Sequence, residues 1–286
     1  MTRLALYNRV SEESASLVIR GYSTSFGMAS RILSRDSRRH IDNIYALVRL
    51  ADEVVDGVAV EAGLSSAEAG KQLDALEADT YSAMETGYST NLIVHAFALS
   101  AREVSIQRDI VEPFFTSMRM DLTDRVYTQD SFDTYVYGSA EVVGLMCLAV
   151  FIRDDKPGAE TALTLYNGAR SLGAAFQKVN FLRDLAADVD DLGRSYFPGV
   201  TIATFSEDDK NRLCDDIADD LDAAARTIPL LPRDAARAVG LAHGLFARLN
   251  SRIRETPADV LKSTRIRVND IEKLLIAARV IVRGGK

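Results

Sequence analysis

Apolar residues recur at spacings of three and four along most of the chain, which is the period of an amphipathic α-helix. β-branched residues seldom alternate with polar ones, as they do in half-buried strands. The pattern predicts ten helices, over residues 10–34, 38–55, 67–84, 91–107, 110–125, 130–152, 160–187, 208–226, 234–254 and 268–282. We therefore expect an all-α protein.

The breaks between the predicted helices fall at residues that end helices. Asp56-Gly57 closes the second helix, residues 153–158 separate the sixth from the seventh, and Pro229 and Pro232 interrupt the chain before the ninth. No linker is long or low in complexity, and no repeat of fixed period is present. These features predict one helical domain over residues 1–286, packed as a large bundle.

Composition and charge exclude several kinds of protein. The chain has 34 basic and 41 acidic residues and a net charge of −7, which does not suit a nucleic-acid partner. Cys147 and Cys214 are too few for a disulfide framework and have no cysteine neighbours for a zinc site. The longest apolar run, residues 142–152, is shorter than a membrane span, and the polar residues after Leu6 argue against a signal peptide. We expect a cytoplasmic protein.

Several catalytic motifs are absent from the sequence. It contains no glycine-rich nucleotide loop, no His-Glu-x-x-His pair and no Gly-x-Ser-x-Gly elbow. His40, His95 and His243 are far apart, and His95 lies among apolar residues, so we expect it to be structural. The carboxylates are left as the candidates for chemistry.

Three stretches place aspartates four residues apart, so that the members of each pair share one helix face. They contain Asp52 and Asp56, Asp184 and Asp188, and the run Asp215–Asp222. Such a pair can hold a hard cation or form part of a solvated acidic surface. The third stretch has no aromatic neighbours and few apolar ones, which favours the solvated surface.

The first two stretches continue a polar face along an apolar helix. Tyr45 and Arg49 precede Asp52 by two turns and one turn of that face. The second face is formed by Gln177, Asn180, Asp184 and Asp188. Acids that face a helical core are costly unless cations neutralise them. Mg²⁺ bound with a diphosphate would do this, and Arg49 and Arg183 would meet the remaining phosphate charge.

Six segments, taken in order, make nearly the whole chain resemble the squalene/phytoene synthase family, the head-to-head branch of the isoprenyl diphosphate synthases. They are Tyr22-Ser-Thr-Ser-Phe26, Tyr45–Asp56, Met120-Asp-Leu122, Tyr135–Gly144, Gln177–Asp188 and Gly193–Pro198. Residues 49–53 and 135–140 look closest to the bacterial phytoene synthases. The resemblance implies an all-α isoprenoid synthase fold, a single-domain helical bundle with a central cavity.

The resemblance also implies roles for individual residues. The metal ligands would be Asp52, Asp56, Asn180, Asp184 and Asp188. The catalytic residues would be Tyr45, Arg49, Tyr135 and Arg183. Substrate would contact Ser23, Ser25, Phe26, Gln177, Arg194 and Tyr196. The cofactor would be Mg²⁺, with Mn²⁺ as the alternative, and NADPH is not expected.

Taken without the resemblance, some of these residues have simpler interpretations. Ser23 and Ser25 would then be ordinary cap or turn residues, and Tyr135 and Tyr137 core aromatics with a satisfied hydroxyl. Gly138 and Gly144 lie within a predicted helix, where they would permit close approach of substrate or of a neighbouring helix.

The sequence departs from the family pattern at two places. Glu141 stands where many members carry a small residue, and Leu245-Phe246 where many carry tyrosine. Both departures affect the expected shape of the cavity.

The expected reaction joins two geranylgeranyl diphosphates head to head, through prephytoene diphosphate, to phytoene. The alternatives are a C30 enzyme that uses farnesyl diphosphate, a cation-cyclising terpene synthase, and a family-like helical protein that serves assembly or binding without catalysis. Because substrate and product are apolar, we also expect peripheral contact with the inner face of the membrane.

Overall fold

The computed structural model describes residues 1–23, 25–55, 57–123, 126–185 and 196–269, together with 272, 273, 275–277 and 280; for Ser25 and Phe26 it describes the backbone only. The regular elements of these residues are all helical, which confirms the predicted all-α class. The α-helices are α1 (Arg3–Tyr22), α2 (Ser25–Ser30), α3 (Arg35–Val55), α4 (Val58–Glu61), α5 (Ser66–Thr86), α6 (Leu92–Glu103), α7 (Arg108–Thr123), α8 (Gln129–Val136), α9 (Val142–Phe151), α10 (Ala159–Arg183), α11 (Glu207–Ala225), α12 (Arg233–Glu255) and α13 (Ala258–Leu261).

Most of the predicted helices lie within three residues of their observed bounds, but three predictions were wrong. The helix predicted over residues 91–107 ends four residues early, at Glu103. The first helix starts at Arg3 rather than at residue 10, because the Thr2 hydroxyl accepts a hydrogen bond from the Ala5 N–H and caps the helix. The same helix ends at Tyr22, whereas the prediction continued it to residue 34. The helix expected to reach residue 187 ends at Arg183, and Asp184 is its C-terminal cap residue. Asp184 therefore lies just beyond the regular helix.

The predicted helix over residues 130–152 contains a π-helical turn, Tyr137–Glu141, between α8 and α9. A Cβ on Gly138 would lie 2.1 Å from the Pro113 carbonyl oxygen, and one on Gly144 would lie 2.5 Å from that of Ala169. The two glycines therefore allow neighbouring helices to approach, as expected. By length and composition this stretch could cross a membrane, but half of its most apolar window is buried in the bundle, which is typical of a core helix.

Two apolar clusters form most of the core. One combines side chains of α3, α5, α6, α7 and α9, and the other those of α8, α10, α11 and α12. Helix α10 packs against α9, the π-helical turn, α11 and α12, so it runs between the two clusters. This position exposes one face of α10 to the space between them.

The acidic run on α11 is a solvated surface for Asp215, Asp216, Asp219 and Asp222, as predicted. The prediction was wrong for Asp220, whose side chain is only 23% exposed and accepts a hydrogen bond from Lys178 Nζ at 2.8 Å. Burial raises the pKa of the Asp220 carboxyl, and Lys178 opposes that rise. The reason is the register of α11, which turns Asp220 toward α10.

His95 is structural, as expected. It is fully buried, and its ring nitrogens contact Asn8 Oδ1 at 2.8 Å and the backbone N–H of Ser89 at 3.3 Å. Burial lowers the pKa of the imidazole, so the neutral form is favoured. Both cysteines, Cys147 and Cys214, are free thiols.

Candidate functional site

A cavity of about 670 Å³ lies between the two apolar clusters. This volume is in the range of cofactor and ligand sites. Ten of the predicted site residues line it: Ser23, Tyr45, Arg49, Asp52, Tyr135, Gln177, Asn180, Arg183, Asp184 and Tyr196. Asp56, Asp188 and Arg194 lie outside the described residues, as do the side chains of Ser25 and Phe26. Wherever the structure describes a predicted site side chain, that side chain faces one common cavity.

Helix α3 supplies one polar wall of the cavity through Tyr45, Arg49 and Asp52, which share one face as their spacing predicts. The Arg49 guanidinium stacks 4.4 Å above the centre of the Tyr22 ring and donates a hydrogen bond to Glu53. Its Nε is buried and has no hydrogen-bond partner among the described residues. The guanidinium of this cavity-lining residue is therefore held between the Tyr22 ring and Glu53.

Tyr45 and Ser23 form a second feature of this wall. Ser23 ends α1, where its backbone N–H donates to the Ile19 carbonyl, so it is a cap residue and a cavity residue at once. Its side chain is hydrogen-bonded to the Tyr45 hydroxyl. Burial raises the pKa of Tyr45, and the charge of Asp52 adds to the rise, so this hydroxyl stays protonated.

Helix α10 supplies the second polar wall through Gln177 and Asn180, and its C-terminal cap residue Asp184 continues that wall. The Asp184 carboxylate is 19% exposed and contacts two arginines, Arg183 Nη2 at 2.6 Å and Arg265 Nε at 2.7 Å. Two guanidinium groups therefore share one carboxylate at the edge of the cavity, a local excess of positive charge that suits an anion.

Arg265 is a site residue that sequence reasoning missed. It lies in the segment after α13, lines the cavity, and reaches Asp184 from 81 residues away. Only tertiary structure brings it there, and no spacing or periodicity near residue 265 marks it.

A third polar group that lines the cavity is Asp121, a buried residue that is 3% exposed. Its two oxygens accept hydrogen bonds from the hydroxyls of Tyr135 at 2.7 Å and Tyr196 at 3.1 Å. The Tyr196 ring stacks on Phe181 with centroids 3.9 Å apart. Asp121 lies in one of the recognised sequence segments, but the sequence indicated no role for it.

The rest of the cavity is largely apolar. Phe176 and Phe246 both line it and stack on each other with centroids 3.8 Å apart, so Phe246 forms part of the wall. Glu141, which was expected to alter the cavity, is not a lining residue; its carboxylate accepts a hydrogen bond from Arg170 Nε at 2.6 Å. Of the two sequence departures, only the second changes the cavity surface.

A separate group, Asp36, His40 and Glu103, brings three potential ligand atoms within 4.8 Å of one another. Arg39 donates to both carboxylates and lies 3.2 Å from His40 Nε2, and Arg153 contacts Asp36 as well. Since its own arginines already neutralise this group, we regard it as a structural ion-pair network.

Comparison with known proteins identifies the family. The family model for squalene/phytoene synthase matches residues 19–272. The phytoene synthase of Mycobacterium tuberculosis is 27% identical over 303 aligned positions, which cover 98% of this chain and 92% of that protein. The 15-cis-phytoene synthase of a Paracoccus species is 32% identical over 184 positions, covering 62% of this chain and 56% of that protein.

A solved structure of a dehydrosqualene synthase shares the fold, with a TM-score of 0.81 at 20% identity, and the match covers 96% of this chain and 97% of that one. The predicted isoprenoid synthase fold is confirmed. The chain therefore belongs to the squalene/phytoene synthase family, whose members are prenyltransferase-type enzymes that act on isoprenyl diphosphates.

Proposed function

We propose that the protein joins two molecules of geranylgeranyl diphosphate head to head, through a cyclopropylcarbinyl diphosphate, to give phytoene and two diphosphates. The observation that carries the proposal is one apolar cavity whose two polar walls hold Asp52 and Arg49 on one side and Asp184 and Arg183 on the other. Such a cavity fits a substrate with an anionic head and a long hydrocarbon tail. The choice of the C20 substrate is supported by the relatives, which are phytoene synthases.

The cavity residues fit a magnesium cofactor. Carboxylate oxygens of Asp52 and Asp184 and the amide oxygen of Asn180 are hard ligands of the kind Mg²⁺ takes together with phosphate oxygens and water. These three residues would hold it, with Asp56 and Asp188 as further proposed ligands. When bound, the metal would neutralise the departing diphosphate as a Lewis acid.

The arginines of the two walls act on the same anion. Arg49 lines the cavity on the α3 side, and Arg183 and Arg265 both contact Asp184. Donors fixed in place before ionisation stabilise the developing negative charge, which is the largest contribution expected for a reaction of this type. The protonated hydroxyl of Tyr45 adds a neutral donor or acceptor beside Asp52.

The apolar walls have a different task. Ionisation leaves a carbocation, which water would quench, so the cavity must exclude water during the reaction. Stacked Phe176 and Phe246 present apolar ring surface to the tail. The second substrate's double bond then attacks the cation, and loss of a proton closes the cyclopropane ring. The cyclopropylcarbinyl diphosphate ionises in turn, rearranges and loses a second proton to give the linear hydrocarbon, with released diphosphate as the base for both protons.

The experiment is incubation of the purified protein with Mg²⁺ and geranylgeranyl or farnesyl diphosphate, with and without NADPH, followed by identification of the extracted hydrocarbon. We expect a C40 hydrocarbon from the C20 substrate without NADPH. A C30 hydrocarbon alone would identify the enzyme as a dehydrosqualene or squalene synthase, and NADPH dependence would separate those two. Binding of either diphosphate without turnover would support the non-catalytic alternative instead.

A further inference from the structure

The cavity changes character along its length. Its polar lining residues on α3 and α10 lie toward the C-terminal ends of these helices, and toward the helix starts the lining becomes apolar. The apolar lining reaches Ile41 on α3 and Leu165 on α10. Measured along the helix axes, Ile41 lies about 16 Å from Asp52, and Leu165 lies about 22 Å from Asn180. The cavity therefore continues well past its polar end, in the direction that a hydrocarbon tail must take.

Five apolar side chains converge at the far end of the cavity. They line it and belong to one cluster: Leu33, Ile41, Phe151, Leu231 and Ala238. We call these five residues the cavity floor. They come from the segment after α2, from α3, from the end of α9 and from the chain on either side of the start of α12. Four separate parts of the chain thus meet where the tail of a bound substrate would end.

Phe151 is the largest side chain of the floor. Besides the floor residues, it packs against the core cluster formed by α3, α5, α6, α7 and α9. It is the last residue of α9, so the helix backbone fixes the position from which its ring projects. Because protein cores are closely packed, the ring cannot move aside for a longer tail without displacing its neighbours.

Polar contacts outside the cavity connect the segments that carry the floor. Arg153, two residues after Phe151, donates to Asp36 near the start of α3. Asp234, near the start of α12, accepts a hydrogen bond from the backbone N–H of Ser34 at 3.0 Å. The Arg153 side chain is only 16% exposed, so solvent screens its ion pair less than a surface pair. These contacts hold the floor as a fixed wall.

We propose that Phe151 limits the length of the hydrocarbon tail, and that Arg153 is a positioning residue that holds Phe151 in place through Asp36. The floor admits the C20 tail and rejects a tail that is one isoprene unit longer. This inference rests on the proposed function, since the floor selects only among prenyl diphosphates that enter this cavity. It also gives the ion pair of Asp36 and Arg153 a part in substrate specificity.

Binding of unreactive analogues tests the proposal without turnover. The probes are thiolodiphosphates with farnesyl (C15), geranylgeranyl (C20) and geranylfarnesyl (C25) chains, measured by calorimetry in the presence of Mg²⁺. We expect the wild type to bind the C20 analogue at least about tenfold more tightly than the C25 analogue, because a closed apolar pocket discriminates by this factor against surplus methylene groups. Phe151→Val should bring the C25 analogue to within about threefold of the C20 analogue, because it removes the atoms that block the longer tail.

A second variant and a matched control keep this test decisive. Ala238→Leu fills the floor, so it should weaken binding of the C20 analogue about tenfold and leave the C15 analogue within about threefold of wild type. This variant tests the floor even if Phe151→Val fails to fold. Phe114→Val removes the same atoms from a buried phenylalanine that does not line the cavity, and it should keep the wild-type preference. Wild-type length preference in folded Phe151→Val, or in Ala238→Leu, would overturn the proposal, as would an equal change in Phe114→Val.

The positioning role of Arg153 has its own test. Arg153→Met should raise the affinity for the C25 analogue relative to the C20 analogue by about threefold, within what a partly exposed ion pair contributes. Arg153→Lys keeps a cation near Asp36 and should restore the wild-type ratio. A purely structural role would lower the melting temperature without changing the ratio of the two affinities, and that result would remove Arg153 from the proposal.

The length profile also separates this inference from the proposed function. If the wild type forms no C40 product but binds the C20 analogue and rejects the C25 analogue, the proposed reaction is wrong and the role of Phe151 stands. If the wild type rejects the C20 analogue and Phe151→Val accepts it, the substrate is the C15 diphosphate and Phe151 still limits the tail. If the wild type makes phytoene and binds the C20 and C25 analogues equally, the role of Phe151 is wrong and the function stands.

Discussion

Asp184 and Asp220 are alike in sequence pattern and in exposure but differ in what lies opposite them. Each belongs to a pair of aspartates four residues apart, each side chain is about one-fifth exposed (19% and 23%), and each contacts a cationic side chain. Asp220 faces Lys178 on the side of α10 turned toward α11, whereas Asp184 faces the cavity. The spacing of acids thus predicts a shared helix face, while the element packed against that face decides between an ion pair and a binding site.

The largest expected difference between the two aspartates is in catalysis. Asp184→Asn should lower diphosphate release by about a thousandfold or more, because it removes a proposed ligand of the metal that neutralises the leaving group. Asp220→Asn should change the rate by less than about threefold, since Asp220 does not line the cavity. A coupled assay for released diphosphate measures both.

Thermal unfolding of the same two variants provides the control. Asp184→Asn should remain folded, since its carboxylate is at the edge of the cavity and is partly solvated. If both variants lost activity equally, or if Asp184→Asn retained wild-type turnover, the distinction between the two acids would fail.

The next largest effect concerns the ion pair itself. Lys178 is 14% exposed and donates to Asp216 at 2.6 Å as well as to Asp220 at 2.8 Å. Lys178→Met should lower the free energy of unfolding by about 2 kcal/mol, because it leaves the Asp220 carboxylate partly buried without its cation. Urea unfolding followed by circular dichroism measures this change.

The matched control is Arg212→Met, which removes an i,i+3 pair with Asp209 on the exposed side of the same helix. Exposed pairs contribute little, so we expect a loss below about 0.5 kcal/mol. Equal decreases in the free energy of unfolding of the two variants would mean that the burial of Asp220 does not affect stability.

Much of this architecture follows from local pattern. The helices, the shared face of Tyr45, Arg49 and Asp52, and the polar face of α10 could be predicted because a 3.6-residue period places those side chains together whatever surrounds them. Asp184 also shows the limit of periodicity, because the helix ends one residue before it and its position depends on a cap that no spacing rule gives.

The rest of the site is formed by long-range contacts. Arg265 approaches Asp184 from a segment without regular structure, and the Tyr196 hydroxyl donates to Asp121 from 75 residues away. The partial burial of Asp220 likewise depends on the register of α11 against α10. None of these contacts has a periodic signature, so one sequence read by itself could not give them.

The smallest effect is the pH dependence of stability contributed by Asp220. Burial raises the pKa of this carboxyl in the folded state, and Lys178 opposes the rise. At pH values between the usual carboxyl pKa and the raised pKa, the folded protein therefore binds more protons than the unfolded chain. Stability must then fall as pH increases through that interval. The free energy of unfolding of wild type minus that of Asp220→Asn should decrease from about pH 4 upward and level off above the folded pKa. In a Lys178→Met background the decrease should be larger, because burial is no longer opposed by a neighbouring cation. Urea titrations at a series of pH values measure both differences, and a pH-independent difference in either background would show that Asp220 is solvated in the folded protein after all.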